Sequence, residues 1–203
     1  MKEFTGVILA GGRSRRFGSQ KALAPWGEET VIETLAHTLC SLTPHVMVVG
    51  KEKWKLAGLK KIRIIEDHFQ DFHALGGIVT ALREAPTNKV FIVSCDIPLL
   101  EINLIELLLK NCSESLATIP IWDQNIQPLC GLYSKKILPF LEQALTNNHH
   151  KLQEILTALH VQFVPEIELK HNGVTRWSFF DLDTQEEYEY AKNNFKKEII
   201  SSR

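Results

Sequence analysis

Short apolar runs alternate with segments of helical spacing along most of this chain. Residues 4–9, 45–49, 62–65 and 90–94 are apolar runs, each followed within two residues by a glycine or an acidic residue. Runs of this kind are typical of strands that are buried on both faces of a sheet. Residues 31–42 instead repeat apolar side chains at intervals of three and four, as an amphipathic helix does. The alternation predicts a three-layer α/β/α, mostly parallel, Rossmann-like sheet with helices on both faces.

The same reasoning predicts the remaining elements. Helices are expected at residues 51–59, 76–85, 102–109, 135–145 and 152–159, and from residue 185 onward. Further strands are expected at residues 116–120 and 128–133, separated by a polar turn at 123–125, and a closing strand at 177–182. Residues 1–203 contain no low-complexity linker or internal repeat, so a single domain is expected.

The loop after the first predicted strand is rich in glycine and positive charge. It contains Gly11, Gly12, Arg13, Arg15, Arg16 and Gly18, and it leads to Lys21. Because glycine carries no Cβ, the backbone N–H groups of Gly11 and Gly12 can be approached closely, and the cations supply the charge that a triphosphate needs. The loop therefore predicts a polyphosphate site at the carboxyl end of the first strand, where open α/β sheets usually bind ligands.

Two better-known phosphate-binding motifs do not fit this loop. A P-loop requires glycine and lysine side by side, whereas Gly18 and Lys21 are separated by Ser19 and Gln20. The dinucleotide-binding motif requires the glycine spacing G-x-G-x-x-G, which Gly11, Gly12 and Gly18 do not have. The alternatives are an ordinary glycine turn with solvated arginines and, for Lys21, a surface lysine. Three arginines within four residues favour the phosphate site over the ordinary turn.

Two acidic residues follow predicted strands. Asp96 comes directly after the strand at 90–94 and its carboxylate is suited to Mg²⁺, which binds oxygen ligands together with substrate phosphates. The alternative is that Asp96 caps the turn before Pro98; a phosphate loop at the same edge favours the metal role. Asp67 follows the strand at 62–65, where recognition of a base or ribose and a solvated loop position both remain open.

A second pair of carboxylates lies near the end of the chain. Asp181 and Asp183 flank Leu182, and on a strand their side chains would point the same way. Asp183 is therefore a candidate second metal ligand. It could instead cap the helix that begins near residue 185, but Thr184 could serve as that cap equally well.

Composition excludes several classes of protein. The formal net charge of −1 gives no global attraction to nucleic acid or to membranes, and no run of about eighteen apolar residues predicts a membrane span. The amino-terminal residues lack a basic leader with a cleavage site, so a cytoplasmic location is expected. The four cysteines lack the paired spacing of a zinc site and are expected to be reduced thiols.

These residues suit in-line attack on an α-phosphate with pyrophosphate leaving. That reaction depends on alignment and charge neutralisation, and no nucleophile signature is present. The amides of Gly11 and Gly12, with Arg16 and Lys21, would hold the triphosphate. Mg²⁺ on Asp96, and also on Asp183, would stabilise the charge at the α-phosphate.

Six segments resemble the motifs of one family, the molybdenum cofactor guanylyltransferases. They are LAGGRSRRFGSQKAL (9–23), IIED (64–67), LGGIVTAL (75–82), VSCDIPLL (93–100), QPLCGLY (127–133) and DLDTQEEY (181–188). The resemblance implies a fold of the nucleotide-diphospho-sugar transferase type and a GTP- and Mg²⁺-dependent enzyme that attaches GMP to molybdopterin. It also implies transient contact with molybdoenzymes or other cofactor-biosynthesis proteins.

The same resemblance implies roles for individual residues. Leu9, Ala10, Gly11 and Lys21 correspond to nucleotide-binding residues of the family, and Gly12 belongs to the same loop. Asp67 corresponds to the residue associated with guanine recognition, and Asp96 to the Mg²⁺ ligand. The GG of LAGG resembles the guanylyl members more than the cytidylyl ones.

The chain departs from the family pattern at four places: Gln20, the HALGG turn at 73–77, Val49 and the DLDTQ segment at 181–185. A transferase that uses CTP or a sugar-phosphate acceptor therefore remains an alternative. So does a catalytically silent nucleotide- or cofactor-binding protein, against which the intact Lys21 and Asp96 argue. Arg176, Trp177 and Gln127 are candidates for the acceptor pocket, with packing the more natural role for Trp177.

Overall fold

The computed structural model describes residues 3–10, 21–50, 62–67, 69 and 73–201, with the backbone alone for Lys21, His73 and 196–201. In chain order the strands and helices are β1 (Thr5–Ala10), β2 (Pro25–Trp26), β3 (Glu29–Thr30), α1 (Val31–Cys40), β4 (Val46–Gly50), β5 (Arg63–Glu66), α2 (His73–Glu84), β6 (Lys89–Ser94), α3 (Ile102–Asn111), β7 (Ala117–Trp122), β8 (Asn125–Ile126), β9 (Cys130–Ser134), α4 (Leu138–Thr146), α5 (Leu152–Thr157), β10 (Gln162–Val164), α6 (Glu166–His171) and α7 (Gln185–Ser201). Short 3₁₀ helices occupy Lys21–Leu23, Lys135–Ile137 and Arg176–Phe179.

The main sheet has the strand order β10-β7-β9-β6-β1-β4-β5. β1 pairs in parallel with both β4 and β6, β4 pairs in parallel with β5, and β7 pairs in parallel with β10. β9 runs antiparallel between β6 and β7, so β7 has the same direction as β6. The carboxyl ends of β1, β4, β5, β6 and β7 therefore share one side of the sheet, the carboxyl edge, with the amino end of β9.

Two hydrophobic layers cover the sheet. On one face, α1 and α3 pack against side chains that include Ile8 and Phe91. On the other face, α2, α4 and α5 pack against the intervening side chains, which include Val7 and Ile92. Full burial of an apolar side chain of this size stabilises the fold by about 1.5–3 kcal/mol. Burial on both faces explains why these strands read as continuous apolar runs, and it confirms the three-layer, mostly parallel architecture.

One predicted strand is wrong, one predicted helix begins at a different residue, and five short elements were missed. No strand occupies 177–182: its first part is the 3₁₀ helix Arg176–Phe179, in which the consecutive residues Trp177 and Ser178 are both buried instead of alternating. Helix α2 begins at His73, not at residue 76, because the two glycines lie within the helix. The short elements that were not predicted are the strands β2, β3, β8 and β10 and the six-residue helix α6. The predicted helix at 51–59 lies outside the described residues.

Within the described part of the chain, no helix combines the length and the apolar character needed to cross a membrane.

Candidate active site

One backbone hydrogen bond brings two sequence motifs together at the carboxyl edge. The N–H of Cys95 donates to the carbonyl of Leu9 at 3.0 Å, immediately beyond the last paired residues of β6 and β1. Leu9 and Ala10, where the glycine-rich loop begins, are therefore next to the segment that carries Asp96. Gly11, Gly12 and Arg16 lie outside the described residues, as does the side chain of Lys21, so their predicted roles stay predictions.

Asp96 occupies a tight turn that follows β6. The N–H of Ile97 donates to the carbonyl of Ser94 at 3.3 Å, and the N–H of Leu182 donates to the carbonyl of Asp96 at 2.9 Å. The side chain is half-buried, and its Oδ1 atom is shielded from solvent. The turn thus places a carboxylate at the edge of the sheet where the glycine-rich loop begins.

The bond from Leu182 to Asp96 also locates the two late carboxylates. Asp181 and Asp183 flank the buried Leu182 and are exposed. The expectation that strand alternation would align them is wrong, because these residues form no strand. The sequence neighbours of Leu182 nevertheless lie beside the Asp96 turn, so Asp183 remains a candidate second ligand on different grounds.

Thr184 is the residue that caps α7. Its Oγ1 accepts a hydrogen bond from the N–H of Glu187 at 3.2 Å, and the Glu187 carboxylate accepts one from the N–H of Thr184 at 2.7 Å. This reciprocal pair is a capping box. The Asp183 side chain is therefore not needed as the cap, although its N–H also donates to Glu187 at 2.8 Å.

Asp67 follows β5, three strands away from β6 along the same edge, and is buried, with 7% of its surface exposed. Its own N–H donates to the carbonyl of Gly50 at 2.9 Å, which continues the pairing of β5 with β4. Its Oδ1 accepts from the hydroxyl of Thr80 and from the N–H of Phe69, both at 3.1 Å. A solvated loop acid would not be enclosed in this way, so that alternative is removed.

Glu101, five residues after Asp96, braces the start of α3 and was not recognised from the sequence. Its Oε2 accepts from the N–H of Thr175 at 2.8 Å, the hydroxyl of Thr175 at 3.1 Å and the hydroxyl of Ser178 at 2.8 Å. The N–H of Glu101 in turn donates to Ser178 Oγ at 3.1 Å. In the sequence, Glu101 is visible only as a glutamate just before an apolar helix. That position does not indicate that its partners lie more than 70 residues later.

Cys130, at the amino end of β9, is a buried thiol beside the site. Its Sγ donates to the carbonyl of Ser178 at 3.6 Å. Burial, and to a lesser extent the negative charge of Asp181, raises the pKa of this thiol. A thiol held in its protonated form is a poor nucleophile, which agrees with the expectation of a reduced, packed cysteine.

The three candidates for the acceptor pocket have different surroundings. Trp177 is 1% exposed and packs against Phe180, which confirms its packing role. The guanidinium of Arg176 lies 4.8 Å from the centre of the Trp177 ring and donates to the hydroxyl of Tyr190 at 2.7 Å. Gln127 is half-buried, and its N–H donates to the carbonyl of Pro120 at 2.9 Å. Gln127 lies three residues before β9, whose amino end is on the carboxyl edge.

The residues that fit Mg²⁺ do not form a self-sufficient metal cage. The described residues include no group of three or more histidine, cysteine, aspartate or glutamate side chains that could hold a metal ion. Mg²⁺ in phosphate-transferring sites is usually held by one or two carboxylates together with substrate phosphates. Asp96, with Asp183 nearby in the fold, matches that smaller donor set.

The chain is similar to known proteins over nearly its whole length. The chain is 32% identical over 190 residues to the probable molybdenum cofactor guanylyltransferase of Carboxydothermus hydrogenoformans, spanning 93% of this chain and 95% of that protein. Molybdopterin-guanine dinucleotide biosynthesis protein A from Archaeoglobus fulgidus has the same fold, with a TM-score of 0.82, 23% identity and coverage of 95% of this chain and 99% of that one.

The fold also occurs with another substrate. The 2-C-methyl-D-erythritol 4-phosphate cytidylyltransferase of Thermus thermophilus matches 94% of this chain and 98% of its own, with a TM-score of 0.73 and 14% identity. The model of the MobA-like NTP transferase domain matches residues 6–163 and so includes Leu9, Asp67 and Asp96. The chain therefore belongs to the family of MobA-like NTP transferases and is a nucleotidyltransferase.

Proposed function

We propose that this enzyme transfers GMP from GTP to a molybdopterin-type acceptor and releases pyrophosphate. The hydrogen bond from Cys95 to Leu9 is the observation that carries the proposal, because it joins the segment of Asp96 to the start of the glycine-rich loop. The relative from Carboxydothermus hydrogenoformans, whose name specifies this activity, matches over nearly the whole chain.

In this proposal the parts of GTP lie along the carboxyl edge in the order of the strands. Asp67 follows β5 and would contact the guanine, and Leu9 and Ala10 end β1 beneath the nucleotide. Gly11 and Gly12 would donate backbone N–H groups to the triphosphate, with Arg16 and Lys21 neutralising its charge. The acceptor would approach from the side of β9, where Gln127 lies, so that its attacking oxygen is in line with the departing pyrophosphate.

Mg²⁺ is the cofactor that fits these residues. Asp96 would hold the ion with its carboxylate, and Asp183 would supply a second oxygen. When bound, Mg²⁺ stabilises the charge that develops on the phosphate oxygens. The bond from Leu182 to Asp96 orients the backbone of the turn, and the Glu101 bonds fix the segment against which it packs.

Pyrophosphate release tests the proposal. The protein is incubated with Mg²⁺, a molybdopterin-type acceptor and one of GTP, CTP, ATP or UTP, and pyrophosphate is measured over time. GTP is expected to support release and the others to do so at least tenfold less well. Release with CTP in place of GTP would assign the chain to the cytidylyl branch, and no release with any nucleotide would favour a silent binding protein.

A further inference from the structure

The two oxygens of the Asp67 carboxylate have different surroundings. Oδ1 accepts hydrogen bonds from Thr80 Oγ1 and from the N–H of Phe69, both at 3.1 Å. Oδ2 has no donor among the residues that the structure describes. Among the described residues, Oδ2 is not one of the buried side-chain atoms that lack a partner, so it is open to solvent and available to a donor from a ligand.

Thr80 fixes the orientation of that carboxylate. It lies on α2 and is 4% exposed, and its hydroxyl donates to Oδ1. A carboxylate can turn about its terminal bond, since that torsion is soft. Two donors on one oxygen restrict the turn and leave the other oxygen in a defined place.

Gly77 lies one helical turn before Thr80 and borders Oδ2. A Cβ at Gly77 would be 3.8 Å from Asp67 Oδ2 and 3.4 Å from Leu9 Cδ2, which are ordinary contact distances. At Gly76, by contrast, a Cβ would be 2.4 Å from Phe69 Cβ. Packing within the protein therefore explains the glycine at 76 and does not explain the glycine at 77, where alanine also has the higher helix propensity.

We propose that Thr80 and Gly77 determine which base the enzyme accepts. Thr80 is a positioning residue that holds Oδ1, so that Oδ2 accepts a hydrogen bond from the N–H groups on the Watson–Crick edge of guanine. Gly77 leaves the space beside Leu9 and Oδ2 into which that edge of the base fits. Adenine carries an unprotonated ring nitrogen at the corresponding place, which an acceptor-only carboxylate repels. This inference rests on the proposed use of GTP.

The test compares base selection with catalysis. Michaelis constants and kcat are measured for GTP and ATP, with Mg²⁺ and a molybdopterin-type acceptor, in the unaltered protein, Thr80→Val, Thr80→Ser and Gly77→Ala. Thr118→Val, which removes another buried hydroxyl on β7, is the matched control. Thermal unfolding is followed for every variant.

Thr80→Val is expected to raise KM for GTP roughly fivefold to tenfold, as the weakening of a hydrogen bond to a charged group does, with kcat nearly unchanged. Thr80→Ser, which keeps the hydroxyl, should restore the wild-type KM. Gly77→Ala should unfold at the same or a higher temperature and still bind GTP at least tenfold less tightly. If Thr80 and Gly77 had only structural roles, their substitution would lower the unfolding temperature and impair KM and kcat for both nucleotides together.

The outcomes separate this inference from the proposed function. The inference alone would be overturned if the wild-type protein prefers GTP and both Thr80→Val and Gly77→Ala keep the wild-type ratio of GTP to ATP use. Wild-type protein that shows no preference for GTP would overturn the proposed function and this role for Asp67 together. A loss of GTP preference in Thr80→Val that serine restores would support both.

Discussion

The N–H of Leu182 and the carbonyl of Asp96 are 2.9 Å apart, which ties the segment before α7 to the turn after β6. A few residues on, Glu101 accepts hydrogen bonds from Thr175 and Ser178 in the same late segment. The Asp96 turn and the start of α3 are thus each attached to residues about 80 positions later in the chain. These bonds fix the backbone that carries Asp96 before any nucleotide binds, and a fixed backbone favours the preorganisation that electrostatic catalysis requires.

Asp96→Asn is expected to lower kcat on the order of 100-fold or more while the fold is retained. The amide is close in shape to the carboxylate, and the backbone bonds to Ser94 and Leu182 do not involve the side chain. Removal of a charge that serves the transition state costs roughly this much. Steady-state pyrophosphate release checks the rate, and circular dichroism checks the fold.

Glu114→Gln is the control for that experiment. Its side chain is 90% exposed and precedes β7, so it lies at the opposite edge of the sheet from Asp96. It removes the same charge and should leave kcat within twofold. Undiminished turnover in Asp96→Asn would contradict the metal assignment.

Asp183→Asn and Asp181→Asn form a matched pair, since both residues are exposed and flank Leu182. If Asp183 is the second Mg²⁺ ligand, only its substitution should raise the Mg²⁺ concentration for half-maximal activity, by roughly tenfold. Activity is titrated against MgCl₂ at saturating GTP. Equal shifts in the two variants would indicate a general effect of negative charge and not a ligand.

Glu101→Gln is expected to lower the free energy of unfolding by about 2–3 kcal/mol. The glutamine keeps the size of the side chain but loses the charge on the oxygen that accepts from Thr175 and Ser178, and hydrogen bonds to charged groups are the stronger ones. Urea unfolding measures the change. Glu106→Gln, on the exposed face of α3, should change stability by less than about 0.5 kcal/mol, and equal losses in both variants would contradict the bracing role.

The buried thiol of Cys130 is expected to make the free energy of unfolding decrease at alkaline pH. Burial, and then the charge of Asp181, raises the pKa of its thiol above the usual value of 9.0. In the unfolded chain the thiol ionises near pH 9.0, whereas in the folded chain it stays protonated, so the unfolded state binds fewer protons. The stabilisation is complete below pH 9.0 and decreases as the pH rises above it.

Unfolding free energies measured from pH 8 to 10 test this dependence. Wild-type protein and Cys40→Ala, which alters an exposed cysteine, should lose stability above pH 9.0 more steeply than Cys130→Ala. Parallel curves for all three proteins would show that the thiol makes no contribution.

The sheet could be predicted because its signal is local. Every residue of β1 and β4 and the four central residues of β6 are buried, and most of them are apolar on both faces. That pattern reflects burial between two helical layers. Residues 177–182 are also partly apolar, but they do not form a strand. Thr175 caps a 3₁₀ helix there, and Glu101 accepts a hydrogen bond from the hydroxyl of Ser178. These are contacts between distant parts of the chain, and no pattern within six residues contains them.

The candidate site divides in the same way. Asp67 and Asp96 were identified because each follows an apolar strand, and parallel strands bring their carboxyl ends together. Thr80 and Glu101 carry no comparable signal, since their importance depends on which oxygen each one contacts. Their positions after strands predicted the edge of the sheet at which Asp67 and Asp96 lie. The hydrogen bonds that fix these residues and their neighbours are visible only in the folded structure.

The reversed direction of β9 has a consequence for how such enzymes diversify. Strands β5, β4, β1 and β6 deliver the residues assigned to the nucleotide, whereas the antiparallel β9 and its connection from β7 and β8 form the neighbouring part of the edge. Insertions or exchanges in that connection would reshape the pocket for the second substrate without disturbing the parallel half. One scaffold could thus acquire new acceptors while its nucleotide chemistry is inherited intact.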